Sequence, residues 1–301
     1  MNTPIHSPGR ATTAIYRDAR ADDVPVMAEV FLMTVTEMFA RNNVRTTPPP
    51  RQFVIDNYEH VLATGIFRVA ELDGRVAGIA GAVVRDNLWF LSAFWVLPGY
   101  QNRNIGMPLL RQVWQAGVSS GAAIGFTWSS VDITAMAAYM KLGMRPGYPI
   151  LMFEGEPDAF PSVPEPYRSE ELQRSEAVAI DRRIRGTGRE VDHRFWGGRT
   201  GSVARQIECA GRVAGYFYVN GGSVGPVAWT APEHAMAVLT LAVRQGVDLA
   251  SPIRLSVPGI NHAALQFVIE NGLRLTGQAH LLTTAPFGRM EQYLPSGPSF
   301  Y

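Results

Sequence analysis

The sequence predicts an α/β (α+β) fold built twice along one chain of 301 residues. Two observations predict it. Strand-length apolar runs bounded by turn residues alternate with stretches whose apolar positions recur at helical spacing. Short motifs also recur in the same order: GRVAG at Gly74 to Gly78 and again at Gly211 to Gly215, then LGMRPG at Leu142 to Gly147 and NGLRLTG at Asn271 to Gly277. From Gly74 to Gly143 is 69 residues and from Gly211 to Gly272 is 61, so the second copy is the shorter one. The length agrees, since domains average about 150 residues.

The elements follow in order. Residues 1–13 are polar and read as a loose start, after which Ala14 to Arg17 open a strand. Asp22 or Asp23 offers an N-cap and Pro25 a first-turn proline. Val26, Met27, Val30, Phe31, Thr34, Val35 and Met38 then form one helical face. TTPPP interrupts, and RQFVIDNYEHVLATG restores a helix closed at Gly65. IFRVAEL and RVAGIAGAVVRD flank Asp73-Gly74, a hairpin signal. LWFLSAFWVL is the next strand, and the stretch Phe94 to Leu110 carries it through Pro98-Gly99 and a polar loop into a helix opening near Ile105.

Ala122 to Trp128 reads as a buried strand, TAMAAYMKLGM as a helix closed by Gly143, and Pro149 to Glu154 as a strand. GEPDAFPSVPEPYRSEE, with four prolines among acidic residues, reads as a linker. The expected domains are therefore residues 1–158, a Pro-rich linker over 159–175, and a second copy over 176–301.

Composition narrows the function. Apolar content of 47% with 18% charge excludes a disordered chain, and a net charge of +1 offers no electrostatic basis for binding nucleic acid or an anionic membrane. The single cysteine, Cys209, excludes an internal disulfide, cannot form a zinc site alone, and reads as a small buried hydrophobe. No secretory leader pattern opens the sequence and no run of about 18 apolar residues occurs, so a cytoplasmic protein is expected.

On residues alone, Phe94 to Leu110 fits either an ordinary strand-to-helix connection or an anion site, because first-turn N–H groups lack intrahelical partners and carry the positive end of the helix dipole. A dinucleotide loop is the weaker rival, since no G-x-G-x-x-G follows a strand.

The order of elements is similar to that of the GNAT superfamily of acyl-CoA-dependent N-acyltransferases. Gln101, Asn104 and Gly106 resemble the family's acyl-CoA signature, Arg/Gln-x-x-Gly-x-Gly/Ala, with Asn104 where Gly is usual. Asp132-x-x-Ala135-x-x-Ala138-Tyr139-x-Lys141-Leu142-Gly143-Met144 resembles the second signature, and YRDARADDVPVMAEVF the usual opening strand and helix. The likeness covers residues 14–155 well and the second half as a worn copy. It implies two tandem domains, each a central mixed, mostly antiparallel sheet flanked by helices, with the C-terminal one degenerate.

The resemblance also implies the chemistry. Acetyl-CoA would be the acyl donor, with no metal. Backbone N–H groups of Gln101, Asn102, Arg103, Asn104, Ile105, Gly106 and Met107 would hold its pyrophosphate, and main-chain groups of Trp95, Val96 and Leu97 would pair with the pantetheine arm. Asp132 heads the second signature and joins this cofactor-binding set. Tyr139 falls at the general-acid position; a phenol of pKa about 10 is modestly mismatched to a thiol of about 8.5. The competing reading is that Tyr139 only packs under the sheet.

No Glu stands on strand Leu88 to Leu97 to serve as base, which leaves Glu37, Asp86, Asp132, or a water held by Ser129 or Ser130. In the second copy Val268 stands where Tyr139 stood, and SVGPVAWTAPEHAMAVL lacks the loop pattern. His193, His234, His262 and His280 show no metal spacing, and the arginines of DRRIRGTGRE with the later Arg194 read as a solvated face, the alternative being a contact with CoA phosphates.

The expectation is an N-acetyltransferase acting on a small-molecule primary amine by direct attack in a ternary complex, as monomer or homodimer. The alternative is a non-catalytic acyl-CoA-binding or sensor protein.

Overall fold

The computed structural model describes residues 13–44, 46–157, 161–163 and 165–301. The expected loose start over 1–13 lies almost wholly outside them, as do parts of the expected linker. In chain order the elements are β1 (Ile15–Asp18), α1 (Val24–Arg41), α2 (Arg51–Thr64), β2 (Ile66–Leu72), β3 (Arg75–Arg85), β4 (Leu88–Val96), α3 (Gly106–Ser119), β5 (Ile124–Ser129), α4 (Ile133–Lys141) and β6 (Arg145–Gly155). The second series runs β7 (Tyr167–Glu171), α5 (Arg174–Arg185), α6 (Glu190–Gly198), β8 (Val203–Cys209), β9 (Arg212–Asn220), β10 (Ser223–Trp229), α7 (Ala235–Leu249), β11 (Ile253–Pro258), α8 (His262–Glu270), β12 (Arg274–Thr283) and β13 (Tyr293–Leu294).

The repeated motifs occupy matching structural positions. Asp73 and Gly74 both have positive φ, 53° and 73°, as the tight β2–β3 hairpin requires; Ala210 and Gly211, at 51° and 75°, do the same between β8 and β9. The second glycine of each GRVAG lies against backbone. A Cβ at Gly78 would sit 3.4 Å from the Trp95 carbonyl oxygen, and one at Gly215 would collide with that of Ala228. Asp132 N-caps α4, accepting from the N–H groups of Thr134 and Ala135, and Asn261 N-caps α8, accepting from that of Ala264.

The chain forms two compact units. The first comprises Met1–Ala82 and Ala93–Ala116, the second Val83–Ser92 and Gly117–Tyr301. In the first unit β1 pairs antiparallel with β2, and β2 with β3. Helix α1 buries Val24, Met27, Ala28, Val30, Val35 and Met38, close to the face its periodicity predicts. Asp23, expected as a cap, makes no side-chain cap bond. Its carboxylate instead accepts from both terminal nitrogens of Arg17.

In the second unit the sheet runs β4-β5-β12-β6-β11-β10-β9-β8-β7, with β13 against β10. Only β4–β5 and β10–β11 are parallel among these pairs. The fold is thus the mixed, mostly antiparallel sheet with flanking helices that the resemblance implies. The closing strands are interleaved: β12 of the second series pairs with β5 and β6 of the first, and β6 of the first pairs with β11 of the second. Strand β7 lies inside the stretch read as linker. Its side chains are half-exposed or exposed, so an edge strand here shows no apolar alternation for a sequence pattern to catch.

Candidate active site

In the first unit, β4 ends at Val96 and α3 begins at Gly106. Leu97 N–H donates to the Ala77 carbonyl (2.9 Å), continuing the pairing with β3, and Tyr100 N–H turns back to the Leu97 carbonyl (3.0 Å). The Gln101 side chain donates to the Val96 carbonyl at 3.0 Å and closes the loop on its own strand. Asn102 and Asn104 have φ of 61° and 58°, while Arg103 between them does not share that sign. Alternating φ sign turns successive N–H groups to one side and forms an anion-binding nest. Asn104 therefore holds the left-handed conformation a family glycine would supply, and asparagine tolerates it better than most residues.

Ile105 is buried, and its carbonyl accepts from the Tyr16 hydroxyl (3.2 Å) and from Leu109 N–H. At Gly106 a Cβ would come 3.1 Å from the Phe94 ring. Pro108 occupies the first turn, where its missing N–H costs no helix bond. Trp95 packs edge-on to Phe31 (5.0 Å), which meets Tyr58 (6.3 Å), which meets Phe67 (5.1 Å). Burial pushes the Tyr58 phenol well up, with a hydrogen bond from Trp95 acting the other way. The expected loop residues Trp95, Val96, Leu97 and Gln101 to Met107 are thus gathered in one unit as a single strand-loop-helix turn.

In the second unit, α4 carries Asp132 at its N-cap and Tyr139 as its buried residue. Burial, and then the nearby Asp132 carboxylate, push the Tyr139 phenol well above its ordinary value, so it remains protonated and able to donate at neutral pH.

Several base candidates are already engaged. Asp86 accepts from the Thr187 hydroxyl (2.8 Å) and Gly188 N–H (3.0 Å). Asp132 caps α4, and the Ser129 hydroxyl donates to the Ser130 carbonyl (3.3 Å). Glu37 differs. One oxygen faces Arg41 at 3.5 Å, while Oε2 is shielded from water without a hydrogen-bond partner among the described residues.

The arginines read as a solvated face need correction. Arg182, Arg183 and Arg194 are exposed, but Arg185 and Arg189 are buried at 3% and 2% exposure. Asp181, fully buried, accepts from Arg189 Nε (2.7 Å) and the Tyr216 hydroxyl (2.6 Å) and pairs with His193 Nε2 (2.9 Å). Asp181 and Arg185 lie one turn apart on α5, and Arg189, the residue before α6, lies one turn ahead of His193, so two separate helices bring the four polar groups together. Cys209 is half-buried rather than buried. Among the described residues no cluster of His, Cys, Asp or Glu could hold a metal, and no helix is long and apolar enough to cross a membrane.

Sheet, loop and capped helix recur in the tandem order that the repeated motifs predict. Residues 32–144 match the model of the acetyltransferase (GNAT) family. No curated protein matches the chain. A candidate acetyltransferase from Pyrococcus horikoshii is similar in structure at 18% identity, with 100% of this chain and 99% of that one covered and a TM-score of 0.76. A tandem GNAT protein of the clavulanic acid biosynthesis pathway is similar at 16% identity, covering 91% and 99%, with a TM-score of 0.61. A GCN5-related N-acetyltransferase from Sphaerobacter thermophilus is similar at 15% identity, covering 93% and 98%, with a TM-score of 0.62.

Proposed function

We propose that the chain transfers an acetyl group from acetyl-CoA to a primary amine of a small molecule, by direct attack in a ternary complex within the N-terminal copy. The observation that carries the reading is the loop after β4, where Asn102 and Asn104 hold positive φ and form a nest for a pyrophosphate. Residues Gln101 to Met107 would hold the pyrophosphate and the main chain of Trp95 to Leu97 the pantetheine arm. Asp132 contributes by capping the helix that carries Tyr139.

The amine nitrogen forms its bond to the thioester carbonyl carbon as the C–S bond breaks. Tyr139 gives its phenolic proton to the departing thiolate, and Glu37 Oε2, which has no hydrogen-bond partner among the described residues, is the proposed receiver of the ammonium proton. Oxyanion stabilisation would come from main-chain N–H groups. The proposed domains are residues 1–158 for the acting copy and 176–301 for the degenerate copy, joined by 159–175. The protein is proposed to be cytoplasmic and to act as a monomer or homodimer.

Thermal-shift titration with acetyl-CoA tests binding, and free-thiol release across an amine panel tests turnover. Stabilisation is expected, with thiol release raised by at least one amine and cut at least about a hundredfold by Tyr139→Phe. No stabilisation at millimolar acetyl-CoA would sink the reading. Stabilisation without thiol release from any amine would leave a binding protein in its place.

A further inference from the structure

We propose that segment Pro295–Tyr301 of the second copy positions strand β4 for the first copy's chemistry, with Ser92 and Tyr301 as its positioning residues. The proposal rests on the reading above.

The pairing of β4 with β5 ends at Leu91 and Thr127, where the Thr127 hydroxyl donates to the Leu91 carbonyl at 3.2 Å. Ser92 is the next residue. Its hydroxyl donates to no neighbouring strand but to the Ser299 carbonyl, 2.7 Å away and 207 residues along the chain. In LWFLSAFWV it is the one hydroxyl, set in an otherwise apolar and aromatic strand.

The segment that receives this bond is itself fixed. Tyr301 is fully buried, and its ring packs against Phe126 (5.6 Å), Trp128 (6.3 Å) and Phe90 (6.4 Å). Its hydroxyl shares a hydrogen bond with that of Tyr148 at 2.9 Å. Its main-chain oxygen accepts from Arg185 and Arg189, each at 2.8 Å, and Arg189 is held in turn by Asp181. Two buried guanidinium groups on one oxygen occupy it fully, so this oxygen serves as an anchor rather than as a proton acceptor in the reaction.

Along β4, Ser92 leads through the covalent chain to Trp95 to Leu97, the residues proposed to pair with the pantetheine arm. A strand past its last β5 partner has lost one side of its ladder, and a side-chain bond to an anchored segment restores the constraint there. The segment from the second copy thus sets the course of the strand that the first copy offers to its donor.

The test compares wild type, Ser92→Ala and Ser92→Thr by calorimetric titration with acetyl-CoA and, separately, with adenosine 3′,5′-bisphosphate, which lacks the pantetheine arm. Ser92→Ala is expected to weaken acetyl-CoA about fivefold, the scale of one hydrogen bond, to leave the bisphosphate unchanged, and to melt within about 2 °C of wild type. Ser92→Thr, which keeps the hydroxyl, is expected to restore acetyl-CoA binding. Equal loss of both ligands, unchanged acetyl-CoA binding in Ser92→Ala, or no rescue by threonine would overturn the positioning role alone. Wild type binding neither ligand would overturn the acyl-CoA reading itself.

Discussion

Replacing Asp181 with Asn removes one charge from the buried network of the second unit and leaves its shape nearly intact. The amide oxygen can still accept from Arg189 and His193, and the Tyr216 hydroxyl can turn to accept from the amide nitrogen. What remains is Arg189, 2% exposed, with no carboxylate to balance it. Breaking a buried pair from one side costs about 3–5 kcal/mol. In a unit of this size each kcal/mol lowers the melting temperature by roughly 2–4 °C, so the loss should be on the order of 10 °C. Asp181→Ala, which also strands the Tyr216 hydroxyl, should cost more.

The pH dependence has a definite sign. Burial alone would raise the Asp181 carboxyl, but the Arg189 charge and the His193 hydrogen bond outweigh it and hold the carboxyl well below its ordinary value. A depressed folded-state pKa contributes stability that is present above the unfolded value of about 3.9 and is lost as pH falls through the folded one. The gap between wild type and Asp181→Asn should therefore stay constant from pH 8 to about pH 5 and close only in strong acid. Calorimetric melts across that range measure it. A difference under about 2 °C at pH 7, or a gap that closes near neutrality, would refute the charge argument.

Gly117→Ala would drive a Cβ into the indole of fully buried Trp89, so a loss of about 1–3 kcal/mol is expected in chemical denaturation. Asn104→Val places a β-branched residue at φ 58°; acetyl-CoA affinity should fall about tenfold by titration, while Asn104→Gly should bind as well as wild type. For Tyr139 the folded pKa is raised, so its protonated form, and the stability that goes with it, persists below the unfolded value of about 10 and is lost as pH rises through the folded one. Thiol release should consequently show no alkaline loss from this group below about pH 10.

The readable features were those whose cause is local. Asp73-Gly74 and the GRVAG glycines reveal hairpins because positive φ is a property of the residue itself. The capping residues Asp132 and Asn261 likewise mark helix starts from within one turn. In the candidate site, Asn104 holds positive φ for the same reason, while Gln101 and Gly106 were legible through the signature they resemble. Features set by distant residues were not. Strand β7 is an exposed edge whose identity comes from β8, with which it pairs from Tyr167 with Cys209 to Glu171 with Arg205, rather than from its own pattern. Arg185 and Arg189 look like surface charge until Asp181, Tyr293 and Tyr301 surround them. The bond from Ser92 to Ser299 has no local signature at all.

The interleaved strands make the backbone ladder of the first series depend on the second. Strand β6 of the first series is paired on both sides by strands of the second, Ile150 to Gly155 with β11 and Arg145 to Glu154 with β12. Strand β5 takes β12 as its antiparallel neighbour, from Phe126 with Thr283 to Ser129 with His280. Without the second series, β6 would lose both partners and β5 would keep only β4, exposing rows of backbone N–H and C=O groups that no strand of the first series stands ready to receive. Valine at 268, in the position matching Tyr139, lies on α8 and leaves this ladder untouched, because β12 pairs through its backbone. Backbone pairing therefore accounts for the place of the second series in the sheet, whatever side chains its helices carry.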